Sequence, residues 1–330
     1  MNSFGRIFRI TLYGESHGEE VGVVIDGCPA GIGLEAGDLE ADLLRRRAGA
    51  SGTTGRREPD SPLIRSGLYR GKTTGAPLVI ALANTDIRPE DYAQTKDLPR
   101  PGHADLTAHL KYGGFNDPRG GGHFSGRLTA PLVAAGFVAK KILAPVSVGA
   151  SLIEAGGSPS IDEAVQTALL ENDSVGGLIE CRVSSLPPGL GEPFFDSVES
   201  LISHLVFSVP GVRGVEFGSG FRCAAMKGSA SNDAFVDAAG TTETNHAGGV
   251  NGGLTNGNEL VFRAAVKPTS SIGKEQKTID LRTGRPRTIR VQGRHDACIA
   301  LRAPVVIEAA AAVVLADLLM IEHKRPRIVR

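Results

Sequence analysis

Six short loops in this chain hold the residue types that bind anions and move protons. They are GESHG at 14–18, RPGHAD at 100–105, RGGGHFSGR at 119–127, NHAGG at 245–249, KPTSS at 267–271 and GRHDAC at 293–298. Five of them place a histidine within two residues of glycine, and three of those five also hold arginine. Glycine bends the backbone sharply and lets a ligand approach it closely. Arginine and open backbone amides bind phosphates and carboxylates. Histidine titrates near neutrality and can hand a proton to a leaving group. Singly, each loop reads as an ordinary turn, and a lone loop histidine is more often a surface residue. Together they describe a site for an anionic ligand with proton-transfer groups in it. No HExxH pair and no acidic cluster suggests a metal.

The elements that must position these loops follow from the apolar pattern. Residues 5–13 and 20–26 read as paired strands around the GESHG turn. The stretch EAGDLEADLLRRRAG is acidic first and basic last, the charge order a helix dipole favours, with Arg45, Arg46 and Arg47 at its end. Strands are expected in PLIRSGLYRG and GAPLVIALAN. Residues 85–126 show little regular pattern, and a stretch that long is usually functional or disordered. SGRLTAPLVAAGFVAKKILAP reads as a helix, with Ser125 or Thr129 as its cap and Pro145 as its stop. Short strands and two helices, in SIDEAVQTALLEN and SVESLISHLVFSV, fill 146–220. A helix from about Pro304 is apolar on nearly all faces and should be buried. No strand leads through GxGxxG into a helix, and no GxxxxGK[ST] is present. Strands and helices come in separate groups, so the expectation is an α+β fold, mainly antiparallel, as one domain over 1–330.

Composition narrows the classes. The 330 residues carry 36 basic and 36 acidic side chains, which argues against a general nucleic-acid or membrane-surface binder. Cys28, Cys181, Cys223 and Cys298 form no CxxC pair and are expected to be reduced, buried, small apolar residues. The N-terminus lacks a signal-peptide pattern, and the run AAAAVVLA is too short to span a bilayer, so a cytoplasmic location with no membrane partner is expected. A polyanion-binding protein using Arg45–Arg47, Arg56 and Arg57 is a rival reading, disfavoured by the zero net charge and few aromatics. A conventional flavin oxidoreductase is another, disfavoured by the missing nicotinamide fingerprint.

GESHGEEVGVVIDGCPAG, GGHFSGRLTAPLVAAGFV and GRHDACIALRAPVVIEAAAA resemble the three signature segments of the chorismate synthase family, and RPGHAD, NHAGG and KPTSS match it in order and spacing. The resemblance runs from about residue 5 to 322, with the segment around 146–185 shortened. It implies helices sandwiched between antiparallel sheets, a homotetramer, and a reduced-FMN-dependent 1,4-anti elimination of phosphate from 5-enolpyruvylshikimate 3-phosphate. It implies His17 as general acid at the phosphate, beside Ser16, and His103 near the pyrimidine end of the flavin. Asp296 would relay the ring proton, its charge favoured by Arg294 and His295. Substrate anions would meet Arg46, Arg127 and Arg294. Flavin contacts would come from His123, Phe124, Ser125, Pro210, Gly211, Gly252, Lys267, Pro268, Thr269, Ser270, Ser271 and Arg294. Arg46 is also a family NADP position, but Gly52 stands where a second arginine is expected. An external reductant of the flavin is therefore expected, with NADPH only an indirect source. His109, His204 and His323 are expected to be surface or structural residues, Glu15 to pin its turn, and His246 to orient or support the flavin loop.

Overall fold

The computed structural model describes residues 2–88, 90, 94–291 and 295–324. In chain order the strands are β1 (Ser3–Phe4), β2 (Arg9–Gly14), β3 (Glu20–Asp26), β4 (Pro62–Ser66), β5 (Leu68–Tyr69), β6 (Lys72–Thr73), β7 (Leu78–Ala83), β8 (Ser147–Ala155), β9 (Gly177–Ser184), β10 (Val212–Phe217), β11 (Val250–Asn251), β12 (Leu254–Thr255), β13 (Leu260–Val266), β14 (Gln276–Ile279) and β15 (Pro286–Ile289). The helices are α1 (Glu40–Arg46), α2 (Asp105–Tyr112), α3 (Thr129–Leu143), α4 (Ile161–Leu170), α5 (Val198–Ser208), α6 (Gly228–Ser231) and α7 (Pro304–Lys324).

Two antiparallel sheets enclose the helices. One has five strands in the order β1-β2-β3-β7-β4, the other four in the order β10-β13-β9-β8. Strand alternation sets their inner faces. Val21, Val23 and Ile25 of β3 and Leu78, Ile80 and Leu82 of β7 are fully buried, as are Ile179, Cys181 and Val183 of β9. Helix α3 packs on β3 and β7, α7 packs on β8 and β9, and the two helices pack on each other. They meet through small residues: a Cβ on Gly136 would stand 2.3 Å from that of Ala309. The result is the expected α+β sandwich.

Helix α7 is long and apolar enough to cross a membrane by length and composition, yet it runs through the core. Its two buried carboxylates are both satisfied. Asp317 accepts the backbone N–H groups of Arg6, Ile7 and Phe8 at 2.7–2.9 Å, which fixes the chain entering β2. Glu308 accepts from Arg45, Lys140 and the N–H of Ala150.

Two expectations need correction. The stretch 85–126 contains α2, which ends at Gly113 with φ 61°. Only Ala108 of it is buried, so it has no apolar stripe for periodicity to reveal. Cys223 is exposed, because it lies on a surface turn after β10; the other three cysteines are buried, and all four are free thiols.

Candidate active site

The loops converge. A cavity of about 940 Å³ opens between the two sheets' loop ends, and its lining draws on GESHG, RPGHAD, RGGGHFSGR, KPTSS and GRHDAC. That size lies near the upper end of the roughly 300–1,000 Å³ typical of ligand sites. Among the described residues, eight cationic side chains and three carboxylates line it. A chain with no net charge has concentrated its positive charge here.

The GESHG turn joins β2 to β3 and is stitched to the triple-glycine loop by the Ser16 N–H donating to Gly122 O at 3.1 Å. Gly120, Gly121 and Gly122 all have positive φ, a run only glycine adopts cheaply. Ser16 faces the cavity and is held from both sides: Arg56 Nη1 donates to its Oγ at 2.8 Å, and Ser125 Oγ lies 3.1 Å from it. The His17 ring tucks beneath Gly120, where a Cβ would stand 2.4 Å from Cε1, and His17 is not among the lining residues. Burial, then the charges of Arg56 and Arg119, push its pKa down.

Three consecutive arginines go to three places: Arg45 and Arg46 are one 100° step apart on α1, and Arg47 has left the helix. Arg45 pairs with Glu308. Arg46 is buried and pairs with Asp60, and its Nε has no partner. Arg47 lines the cavity. Arg127 pairs with the other oxygen of Asp60 and donates from Nε to Asn84 Oδ1 at 2.8 Å. Arg46 and Arg127 are therefore not two free substrate cations. They share one buried carboxylate and leave a single net positive charge at the wall. Burial lowers the Arg46 pKa to about 10. Asp60, with φ 47°, gave no sequence signal because its partners are distant in the chain.

Asp296 has partners that the motifs did not name. Its expected neighbour Arg294 lies outside the described residues. Among the described residues the carboxylate is clamped by Arg302, through Nε at 3.0 Å and Nη2 at 2.8 Å, and accepts the Thr54 N–H at 3.0 Å. The short 3-10 turn Ile299–Arg302 brings Arg302 back over Asp296, a pairing that motif spacing did not show. His295 does line the cavity.

On the facing side, Lys267 Nζ donates to Gly102 O and Ser270 Oγ, each at 2.6 Å, so KPTSS and RPGHAD form one unit. Burial, then Arg213, lowers the Lys267 pKa. Pro268, Thr269 and Ser271 join it in the lining, as do Pro210 and Gly211. The Thr269 Oγ1 is buried without a partner. His103 lines the cavity beside the pair Arg100–Asp105. Phe124 and His123 lie at its rim, and His123 Nδ1 is 3.0 Å from Gly14 O. His204, expected to be peripheral, also lines it, edge-on to Phe4. Gly252 does not: it forms the turn of the β11–β12 hairpin, away from this lining. His246 supports its loop through Ser219 and is likewise not in the lining. Sequence reading missed Arg56, Asp60, Arg100, Asp105 and Arg302 as site-forming residues; Arg100 and Asp105 sit inside RPGHAD and were the most legible.

Comparison with known proteins points one way. The family model described as chorismate synthase matches residues 8–320. A chorismate synthase of Chitinophaga pinensis is 58% identical over 329 residues, covering 99% of each chain. One from Thermococcus kodakarensis is 43% identical over 343 residues, covering 96% of this chain and 97% of its own. A crystal structure of chorismate synthase superposes with a TM-score of 0.73 at 26% identity, covering 96% of this chain and 93% of that one. A cation-rich cavity built from five distant motifs, in a chain matched across nearly its full length, places this chain in the chorismate synthase family, the carbon–oxygen lyases of the shikimate pathway.

Proposed function

We propose that the cavity holds reduced FMN beside 5-enolpyruvylshikimate 3-phosphate and eliminates phosphate across the ring to give chorismate. The observation that carries this is the eight-to-three excess of cationic over anionic side chains in a cavity large enough for two ligands. The substrate brings two carboxylates and a phosphate, and such a charge needs several positive partners.

The residues present fit a flavin nucleotide. The donor set around Lys267, Ser270 and Ser271, the partnerless Thr269 Oγ1, and the small residue Gly211 suit a planar, phosphate-bearing ligand. His123, Phe124, Ser125, Pro210, Gly211 and Lys267 to Ser271 would hold it, with His103 at one end. When bound, the reduced flavin supplies an electron-rich ring that assists cleavage of the carbon–oxygen bond.

The chain's own groups then have these tasks. Ser16, fixed by Arg56, marks the phosphate end, and the net charge of the Arg46–Asp60–Arg127 cluster attracts the substrate's anions. His17 is the general acid. Its burial disfavours the imidazolium in the free chain, and an incoming phosphate dianion reverses that by favouring the charged form. Asp296, held by Arg302, takes part in removing the ring proton. The carbon–oxygen bond breaks, phosphate leaves with its electron pair, and one ring proton is lost, so no net oxidation occurs.

The same reading takes residues 1–330 as one domain, because both sheets share α3 and α7. It takes the protein as cytoplasmic, supplied with reduced flavin by an external reductant. It also takes the assembly as a homotetramer, which would cover the exposed Phe194, Phe195, Phe221 and Phe235. Anaerobic incubation with dithionite-reduced FMN and substrate tests the chemistry. Phosphate release without net flavin oxidation is expected. Stoichiometric flavin oxidation, or no phosphate release, refutes it.

A further inference from the structure

Two neighbours of His103 make opposite demands on the same ring nitrogen. Its Nδ1 lies 2.6 Å from Asp105 Oδ1 and 3.1 Å from Arg100 Nη2. A carboxylate oxygen only accepts, so the first contact needs a hydrogen on Nδ1. A guanidinium only donates, so the second needs a lone pair there. Neutral imidazole cannot satisfy both. The contact to Asp105 is the shorter, and it is charge-assisted.

Arg100 has no need of that lone pair. Its Nε and Nη2 donate to Asp105 at 2.8 Å each, its backbone N–H donates to Oδ2 at 3.0 Å, and its Nη1 donates to Ser271 Oγ at 3.0 Å. Burial raises the Asp105 pKa, but the hydrogen bonds from Arg100 and His103 outweigh it and hold the carboxyl far below its ordinary range. The acceptor is therefore present throughout the neutral range. Nε2 of His103 has no protein hydrogen bond among the described residues. Gly121, at φ 81°, packs on that edge of the ring, where a Cβ would stand 3.3 Å from Nε2.

We infer that Asp105 is a positioning residue that fixes His103 with its hydrogen on Nδ1, so that Nε2 carries the lone pair left for a ligand. Neutral His103 is then a proton acceptor at Nε2 and becomes a donor there only after taking up a proton. The functional part of this inference rests on the reading that His103 serves the bound flavin. The tautomer itself is a property of the ligand-free chain.

Asp105→Asn should invert it. Two Arg100 donors converge on Oδ2 and one on Oδ1, so the amide oxygen belongs at Oδ2 and the amide NH₂ turns toward His103 Nδ1. That N–H donates to Nδ1 and drives the ring hydrogen to Nε2. Magic-angle-spinning ¹⁵N spectra of the histidine-labelled, ligand-free full chain read this directly, with His103→Gln assigning the resonances. The expected result is protonated Nδ1 and bare Nε2 in the native chain, the reverse in Asp105→Asn, and the native pattern in Asp105→Glu. Turnover of Asp105→Asn should fall by about 10²-fold or more, the scale of a proton-transfer contribution, with KM little changed. A hydrogen on Nε2 in the native chain overturns the inference, even where the asparagine variant does not fold. An unchanged tautomer in that variant does so too. Normal turnover in a variant with the inverted tautomer overturns the positioning role. Failure of the wider functional reading would show separately, as absent phosphate release by the native enzyme.

Discussion

Asp60→Asn isolates the cluster at the base of the cavity. Asp60 is fully buried and paired to both Arg46 and Arg127, which are themselves 4% and 5% exposed. Asparagine keeps the shape and tolerates the left-handed φ of 47°, so backbone strain does not confuse the result. It offers one acceptor oxygen, so at least one guanidinium is left facing an amide NH₂. Removing one member of a buried ion pair costs about 3–5 kcal/mol. With an unfolding entropy of ~2.1 cal/mol/K per residue, a chain of 330 residues should lose about 4–7 °C in Tm. Burial alone would raise the Asp60 pKa, but Arg46 and then Arg127 outweigh it and hold it low. The stabilisation is thus fully present above the unfolded carboxyl value of about 3.9 and is lost as pH falls through the folded value. Differential scanning calorimetry of both proteins at neutral and acid pH checks this. A gap near zero at pH 7, or one that widens in acid, would refute the idea that Asp60 is the counter-ion holding the two arginines.

Other outcomes follow from the same geometry. His17→Ala should lower turnover by about 10²–10⁴-fold, the span of general acid–base catalysis, while flavin affinity stays close to native; rapid-quench phosphate release and flavin titration separate the two. Because burial lowers the His17 pKa, the native fold should gain stability up to about pH 6.5 and lose it as pH drops through the folded value, with a shallower loss in His17→Gln; urea midpoints across that range decide it. Gly120→Ala places a Cβ 2.4 Å from His17 Cε1 at φ 58°, so it should cost about 1–2 kcal/mol in backbone strain alone and slow turnover, whereas an active and equally stable variant would contradict the packing. Asp296→Asn should slow ring C–H cleavage more than it weakens substrate binding; an unchanged deuterium-sensitive step in single turnover would count against its role.

How much of this was legible beforehand depends on the range of the interaction that carries each feature. The paired strands around GESHG, the helix from Thr129 and the buried helix from Pro304 follow local patterns of apolar spacing and capping, and each stands where the residues pointed. Helix α2 escaped notice because it buries only Ala108 and so carries no apolar stripe to read. The six motifs showed which chemistry was available, since residue type alone determines what can accept, donate or titrate.

What sequence determined by itself was therefore the parts: antiparallel strands, core helices, and loops rich in histidine, arginine and glycine. Tertiary structure decided the partnerships. Arg46 and Arg127 share Asp60, Asp296 is held by Arg302, His17 lies behind Ser16, and Gly252 falls outside the cavity. The physical reason is that charge pairing and burial depend on distance through space. Asp60 and Arg127 lie far apart along the chain, and they become neighbours only when the turn leading into α3 docks against the end of β7.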